Sequence, residues 1–169
     1  MSPPLRSRTF HWSDPAALTL AARDTDGLSF LRALIARGPD EGSAPSAQCL
    51  GFRLVEAERG RAVFELTPAE FHYNPLSTVH GGILSTLCDS AMGAAVHSTL
   101  APGEGYTTLE LKVSFLRPVT AATGPVRCEG TLLSRGSRVS SAQASLRDAA
   151  GTLLAHATST CLVFPAPQR

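Results

Sequence analysis

One stretch of the chain, residues 74–97, constrains the fold more than any other because it predicts a single long helix. Apolar residues recur there every four positions, and further apolar neighbours widen them into one continuous face at helical period. The recurring residues are Ile83, Leu87, Ala91 and Ala95. A face of this kind requires burial, so the remainder of the chain must provide the surface that covers it.

Asp89 is a lone charge in this region. No other Asp, Glu, Lys or Arg occurs between Pro75 and Gly103, and Asp89 lies at the edge of the polar side of the predicted helix. Gly81 and Gly82 form the first turn, where backbone N–H groups lack partners within the helix and the positive end of the helix dipole is exposed. Such amides can hold a developing oxyanion and a carboxylate can act as base or nucleophile, which is compatible with acyl transfer. The alternative is a glycine turn followed by a surface aspartate.

The spacing N-x5-H-G-G-x6-D strongly resembles that of the hotdog-fold acyl-CoA thioesterases of the phenylacetate-degradation (PaaI) type. Its residues are Asn74, His80, Gly81, Gly82 and Asp89, followed later by an alternating strand that ends in Phe-Leu-Arg-Pro at 115–118. The resemblance covers roughly residues 47–164. It implies an α+β hotdog fold, with an antiparallel sheet of about six strands wrapped around one long central helix.

The resemblance also implies catalytic roles for the motif residues. Asp89 matches the family's general base or nucleophile, and the resemblance does not decide between these roles. Gly81 matches the backbone oxyanion donor, whereas Gly82 is expected to serve close packing or substrate approach. His80 either contacts the substrate near the thioester or caps the helix. Asn74 either orients the attacking water or the carboxylate, or shapes the turn before Pro75.

Two further segments match the family's pattern outside the motif. Thr108, on the strand after the helix, matches a small hydroxyl residue that touches the attacking water, and Thr107 is a weaker candidate. Residues 135–138 occupy the place of a hairpin that contacts coenzyme A in related thioesterases. That segment consists of Arg135, Gly136, Ser137 and Arg138. The arginine fork suits phosphate, although a solvated turn with two arginines is the alternative.

The function that follows is hydrolysis of an aryl- or medium-chain acyl-CoA to the free acid and CoA. No cofactor is expected, because coenzyme A is part of the substrate. A hotdog module that binds acyl-CoA without turnover is one alternative, and an acyl-thioester dehydratase or hydratase is another. The order of His80 before Asp89 counts against the hydratase pattern, in which an aspartate precedes a histidine.

The bulk composition is that of an ordinary globular protein. The 169 residues suffice for one domain with one substantial core. A charged content of 17% and a formal net charge of +1 imply no strong field for nucleic acid or an anionic membrane. The four cysteines are far apart, without a C-x-x-C pair, so no metal site is expected. No apolar run approaches the ~18 residues of a membrane span, and a cytoplasmic location is the default.

The chain divides into residues 1–46, a tail and a helix capped by Asp26, and residues 47–165, the hotdog domain. The helix is predicted to end at Gly38-Pro39, and residues 40–46 to form a linker. Alternating patterns predict six strands. These are 52–58, 61–66, 109–115, 126–133, 139–146 and 152–164. Open sheet edges favour self-association, and the resemblance implies dimers or tetramers with the acyl-CoA site at the subunit interface.

Overall fold

One antiparallel sheet and one long helix form the core of the chain in a computed structural model that describes residues 5–38 and 43–166. The helices are α1 (Ala16–Asp24), α2 (Gly27–Arg37), α3 (Pro45–Leu50) and α4 (Gly81–His97). The strands are β1 (Phe52–Glu58), β2 (Arg61–Leu66), β3 (Glu104–Phe115), β4 (Val126–Arg135), β5 (Val139–Arg147) and β6 (Leu153–Pro165). The predicted fold class, an α+β hotdog fold with six strands around one helix, is confirmed.

The sheet has the order β1-β2-β4-β5-β6-β3, with every neighbouring pair antiparallel. Strand β3 follows α4 in sequence but pairs only with β6, so it forms one edge of the sheet. It begins at Glu104, five residues before the predicted strand 109–115, because Glu104 and Gly105 already pair with the end of β6. The sheet therefore presents a strand of twelve residues with one edge free in this chain.

The second half of α4 is buried on all sides. Every residue from Ala91 to Ser98 is buried, including Gly93 and His97, which helical period places with Asp89 on the predicted polar side. That part of the prediction is wrong because α2 covers the side of α4 that the sheet leaves open. Gly27, at the start of α2, lies so close to His97 that a Cβ there would be 1.7 Å from the His97 carbonyl oxygen.

Three helices precede β1 in the described residues, where the sequence predicted one. The predicted helix is α2, and the Asp26 side chain accepts a hydrogen bond from the Ser29 N–H at 3.1 Å, as its capping role requires. Its C-cap is Gly38, whereas Pro39 and residues 40–42 lie outside the described residues. The predicted linker ends early because Pro45, with its fixed φ, starts α3.

A bulge in β3 changes which side chains share a face. Thr108 pairs with Cys161 and Glu110 with Thr160, so Leu109 is the extra residue and the alternation shifts by one position. Thr108 before the bulge and Phe115 after it therefore point to the same side of the sheet, the side of α4. Alternation in the sequence indicates one buried face for this strand, but in the single chain Phe115 is 51% exposed because β3 is an edge strand.

Among the described residues, no helix combines the length and the apolar character that crossing a membrane requires.

Candidate active site

The carboxylate of Asp89 is held between α4 and β3. The Thr108 hydroxyl donates a hydrogen bond to Asp89 Oδ1 at 2.9 Å. Both residues are half-buried, so the carboxylate has neither full solvation nor complete enclosure. Its second oxygen has no donor among the described residues and is available to accept a proton or to attack a carbon. The structure thus joins two of the predicted catalytic residues.

Tyr106 lies next to this carboxylate and was not predicted as a site residue. Burial raises the pKa of Tyr106, and the negative charge of Asp89 raises it further, so the phenol stays protonated. Its hydroxyl packs on α4 one turn after Asp89, 2.4 Å from where a Cβ of Gly93 would be. The sequence could have indicated this position. Residues two apart in a strand share a face, and Tyr106 is two positions before Thr108.

His80 caps α4, which is one of the two roles left open by the sequence. Its Nδ1 accepts a hydrogen bond from the Gly82 N–H at 2.9 Å. A Cβ on Gly82 would be 3.0 Å from that same nitrogen, so glycine keeps room for the imidazole. Because the Gly82 N–H donates to His80, this amide is not available to bind a ligand. In a neutral imidazole whose Nδ1 accepts, Nε2 carries the proton and can donate.

Of the two glycines at the start of α4, Gly81 is the one whose backbone N–H is free. The Gly81 N–H has no acceptor among the residues that the structure describes, as expected for the first residue of a helix. The ring of Phe115 comes within 3.0 Å of the position that a Cβ of Gly81 would take. An unpaired amide at the positive end of the helix dipole, beside an aromatic ring, is suited to bind a carbonyl oxygen or an oxyanion.

The separation of Gly81 from Asp89 limits what a single chain can do. They are eight positions apart on one helix, which corresponds to about 12 Å along its axis. An oxyanion donor and the attacking group must both come within about 3 Å of the same reacting carbonyl group. The two groups of one chain therefore cannot act on one carbonyl together.

Asn74 organises the loop that leads into α4. Its Oδ1 accepts hydrogen bonds from the Leu76 N–H at 2.8 Å and from the Thr78 N–H at 3.3 Å. These bonds stabilise a tight loop in which Ser77 has a left-handed φ of 59°. The structure thus shows the turn-shaping role of Asn74, and the Asn74 side-chain NH2 has no acceptor among the described residues.

The β4–β5 hairpin lies at the same end of the sheet as Thr108. Arg135 pairs with Ser140, Ser140 with Cys161 and Cys161 with Thr108, so three strand spacings, about 14 Å, separate the hairpin from the carboxylate. The Arg135 guanidinium is already paired with Glu104 at 3.2 Å.

The other residues predicted to bind substrate differ in exposure and in hydrogen bonding. Arg138 is exposed and has no ion-pair partner within the described ranges. Gly136 donates its N–H to the Val139 carbonyl, and the Ser137 side chain is exposed. Thr107 is exposed and alternates with Thr108, so its side chain points away from Asp89.

The site is a carboxylate site without metal-ligand clusters. In residues 5–38 and 43–166, no group of three or more His, Cys, Asp or Glu side chains could hold a metal ion. A positioned carboxylate beside a hydroxyl, together with a free amide from the start of α4, provides the parts for attack on a carbonyl carbon.

Comparison with known proteins identifies the family. Residues 76–155 match the family model described as the thioesterase superfamily. A Saccharolobus solfataricus protein named "putative esterase" is 34% identical over 108 residues, which are 64% of this chain and 75% of that protein. The chain belongs to the thioesterase superfamily. The predictions of a thioester hydrolase and of the hotdog thioesterase family are confirmed.

Two further proteins are similar to the chain at lower identity. The 1,4-dihydroxy-2-naphthoyl-CoA hydrolase of Listeria monocytogenes is 24% identical over 92 residues, 54% of this chain and 75% of that protein. The solved structure of the E. coli PaaI protein from the phenylacetic acid degradation operon has a TM-score of 0.71 and 18% identity. That similarity covers 85% of this chain and 97% of the PaaI chain, and at this identity it shows a shared fold.

The cap at His80 can be separated from any catalytic role. His80→Ala removes the acceptor for the Gly82 N–H and should lower the free energy of unfolding by about 1 kcal/mol, measured by urea denaturation. His80→Asn retains a capping acceptor and should recover most of that loss. Equal stability of all three proteins would contradict the capping role.

Proposed function

We propose that this thioesterase hydrolyses an aryl- or medium-chain acyl-CoA to the free acid and CoA, with Asp89 as the group that drives the attack. The observation that carries the proposal is the Asp89 carboxylate, oriented by the Thr108 hydroxyl and with one oxygen free. The similarity to a named CoA hydrolase supports coenzyme A as the carrier of the acyl group.

The chemistry has two forms that use the same geometry. Asp89 can take a proton from water as the water oxygen bonds to the thioester carbon, or its oxygen can attack that carbon to give a mixed anhydride that water then cleaves. In both forms the carbonyl oxygen becomes an oxyanion held by an amide, and the carbon–sulfur bond breaks as the carbonyl re-forms. The CoA thiolate takes a proton from protonated Asp89 in the first form and from water in the second. Thr108 acts as a positioning residue because its hydroxyl fixes the carboxylate.

The oxyanion donor comes from a second copy of the chain. Because Gly81 lies about 12 Å from Asp89 along the same helix, the amide that faces the thioester is the Gly81 N–H of another subunit. The free edge of β3, which carries Thr108 and Phe115, is the surface through which two copies pair. A dimer or a dimer of dimers satisfies this requirement equally.

The β4–β5 hairpin binds the nucleotide end of coenzyme A. Arg138 is exposed and unpaired among the described residues, so its guanidinium is free to bind phosphate. Arg135 keeps the hairpin in place through Glu104 and the Gly136 carbonyl. The Ser137 hydroxyl and the backbone of the turn complete this contact, whereas Asn74 and His80 support the loop and the helix start beside the thioester.

Asp89→Asn tests the attacking group. Asparagine keeps the shape and can still accept from Thr108, so the fold should persist, but its amide is a poor base and a poor nucleophile. Hydrolysis of phenylacetyl-CoA and octanoyl-CoA, followed by release of free thiol, should fall by ~10²-fold or more. Asp148→Asn is the matched control because that carboxylate likewise accepts hydrogen bonds, here from the Ala150 and Thr152 N–H groups, in a turn far along the chain. Unchanged turnover in Asp89→Asn would remove Asp89 from the mechanism.

Subunit mixing tests whether the site is shared. Gly81→Pro removes the amide at a helix position where proline is tolerated, and Gly81→Ala is the control that adds a Cβ but keeps the N–H. Mixing inactive Asp89→Asn with inactive Gly81→Pro chains should restore about one quarter of the unsubstituted activity, since half of the random dimers contain one intact site. No recovery after verified subunit exchange would place both groups in one chain.

Arg138→Ala tests the nucleotide contact. The KM for phenylacetyl-CoA should rise about five-fold because one charge-assisted contact with phosphate is lost. The KM for the N-acetylcysteamine thioester of phenylacetate, which lacks the nucleotide, should stay the same. Arg59→Ala, in the turn between β1 and β2, is the control for loss of a turn arginine. An equal rise for both thioesters would show that the hairpin does not contact the nucleotide.

A further inference from the structure

One buried side chain ties the loop before α4 to the N-terminal part of the chain. We refer to residues 69–80, all of which the structure describes, as the entry loop. It contains a short 3-10 helix, Glu70–His72, and ends at the helix cap His80. Within this loop only His72 and Val79 are buried, at 1% and 4% exposure. His72 is therefore the one polar side chain that the entry loop buries.

Both ring nitrogens of His72 are hydrogen-bonded. Nδ1 accepts from the Ala69 N–H at 3.0 Å, within the entry loop itself. Nε2 lies 2.8 Å from the carbonyl oxygen of Leu50, the last residue of α3. Because a carbonyl oxygen can only accept, Nε2 carries the proton and the imidazole is neutral. Burial lowers the pKa of His72 and the positive charge of Arg8 lowers it further, which outweighs the opposite effect of the bond to Leu50.

The bond from His72 completes the end of α3. The last four carbonyls of a helix have no partner inside that helix. In α3 the three carbonyls before that of Leu50 accept from the Gly51 N–H and from the Arg8 guanidinium. The Leu50 carbonyl accepts from His72. The entry loop thus supplies the last partner that α3 requires, and α3 in turn fixes where His72 lies.

The backbone of His72 continues this connection to the start of α4. Its carbonyl accepts from the His80 N–H at 2.8 Å, and a β-bridge beside this bond joins the two arms of the entry loop. His80 is thus held through its backbone by His72 and through its ring by the Gly82 N–H. Gly81, whose N–H has no acceptor among the described residues, lies between these two bonds. The position of the Gly81 amide therefore depends on the position of His72.

We propose that His72 is a positioning residue for thioester hydrolysis, and that its bond to the Leu50 carbonyl holds the entry loop so that the Gly81 N–H points at the thioester carbonyl oxygen. This inference rests on the proposed function and adds a residue to its machinery. The oxyanion develops only in the transition state, so a loosened loop lowers kcat and leaves KM almost unchanged.

Three substitutions separate what the imidazole does. His72→Leu fills a similar space but bonds neither the Ala69 N–H nor the Leu50 carbonyl. His72→Asn places an amide oxygen near the position of Nδ1, so it keeps only the bond within the entry loop. His72→Gln places an amide N–H near the position of Nε2, so it keeps only the bond to α3. The asparagine and glutamine variants therefore differ in which bond survives.

Kinetics of phenylacetyl-CoA hydrolysis test the role of the bond to α3. His72→Leu and His72→Asn should lower kcat ~10-fold, since a small displacement of an oxyanion donor is costly, with KM within about two-fold of the unsubstituted value. His72→Gln should keep at least about one third of kcat because it retains the bond to Leu50. His156→Leu, on β6, is the matched histidine control and should change neither constant. Urea denaturation shows that each variant is folded under assay conditions.

The order of the variants decides between positioning and local folding. A role confined to the 3-10 helix predicts the reverse order, because asparagine keeps the bond to Ala69 and glutamine does not. Equal kcat values for His72→Asn and His72→Gln would overturn the proposal. So would unchanged kcat in His72→Leu, or a change in KM alone.

A proton–nitrogen correlation spectrum of glycine-labelled protein observes the Gly81 amide directly. Gly81→Ala identifies its peak, which should shift in His72→Asn and return toward its original place in His72→Gln. The Gly93 peak, from the same helix about three turns later, should stay in place. A Gly81 peak that His72→Asn leaves unmoved would overturn the role of His72. This readout needs no turnover, so it still decides the role of His72 if the unsubstituted protein hydrolyses no thioester and the proposed function fails.

Discussion

Burial of α4 is the constraint on which the rest of the structure depends. A helix with an apolar face repeated over four turns needs cover, and the curved sheet provides it on one side while α2 provides it on the other. In such surroundings an ionised group requires a partner, and Thr108 supplies one to Asp89. The single carboxylate of the helix is thus half-buried between α4 and β3, and the Thr108 hydrogen bond holds it against β3.

The same helix underlies the proposal that the active unit is larger than one chain. A straight helix holds its first amide and its ninth residue at a fixed distance, so the two chemical groups of the motif cannot converge within one subunit. Phe115 and Thr108 bring the start and the middle of α4 into contact with the edge strand. The bulge at Leu109 makes this possible, because it allows side chains before and after it to point toward α4.

Much of this architecture follows from the sequence because its signals are local. The alternation of apolar and polar residues predicted β1 and β2 with the observed bounds, and Asp26 indicated the start of α2. The contacts at Gly81 and Gly82 could not be predicted in the same way, since they depend on where Phe115 and the His80 ring lie in space. Alternation also fails at Leu109, because a bulge depends on pairing with another strand. The packing of α2 over His97 was not predicted. Helix periodicity shows which face of a helix is apolar, but not how many other elements pack against that helix.

The cover that α2 provides over α4 has a consequence for how the protein can diversify. That cover comes from residues 27–37, whereas the family match spans 76–155 and includes Asp89 and Gly81. The helix that closes over the end of α4 and the motif residues are thus encoded in different parts of the gene. Drift in the first third of the chain can change the packing around His97 while the motif is inherited intact.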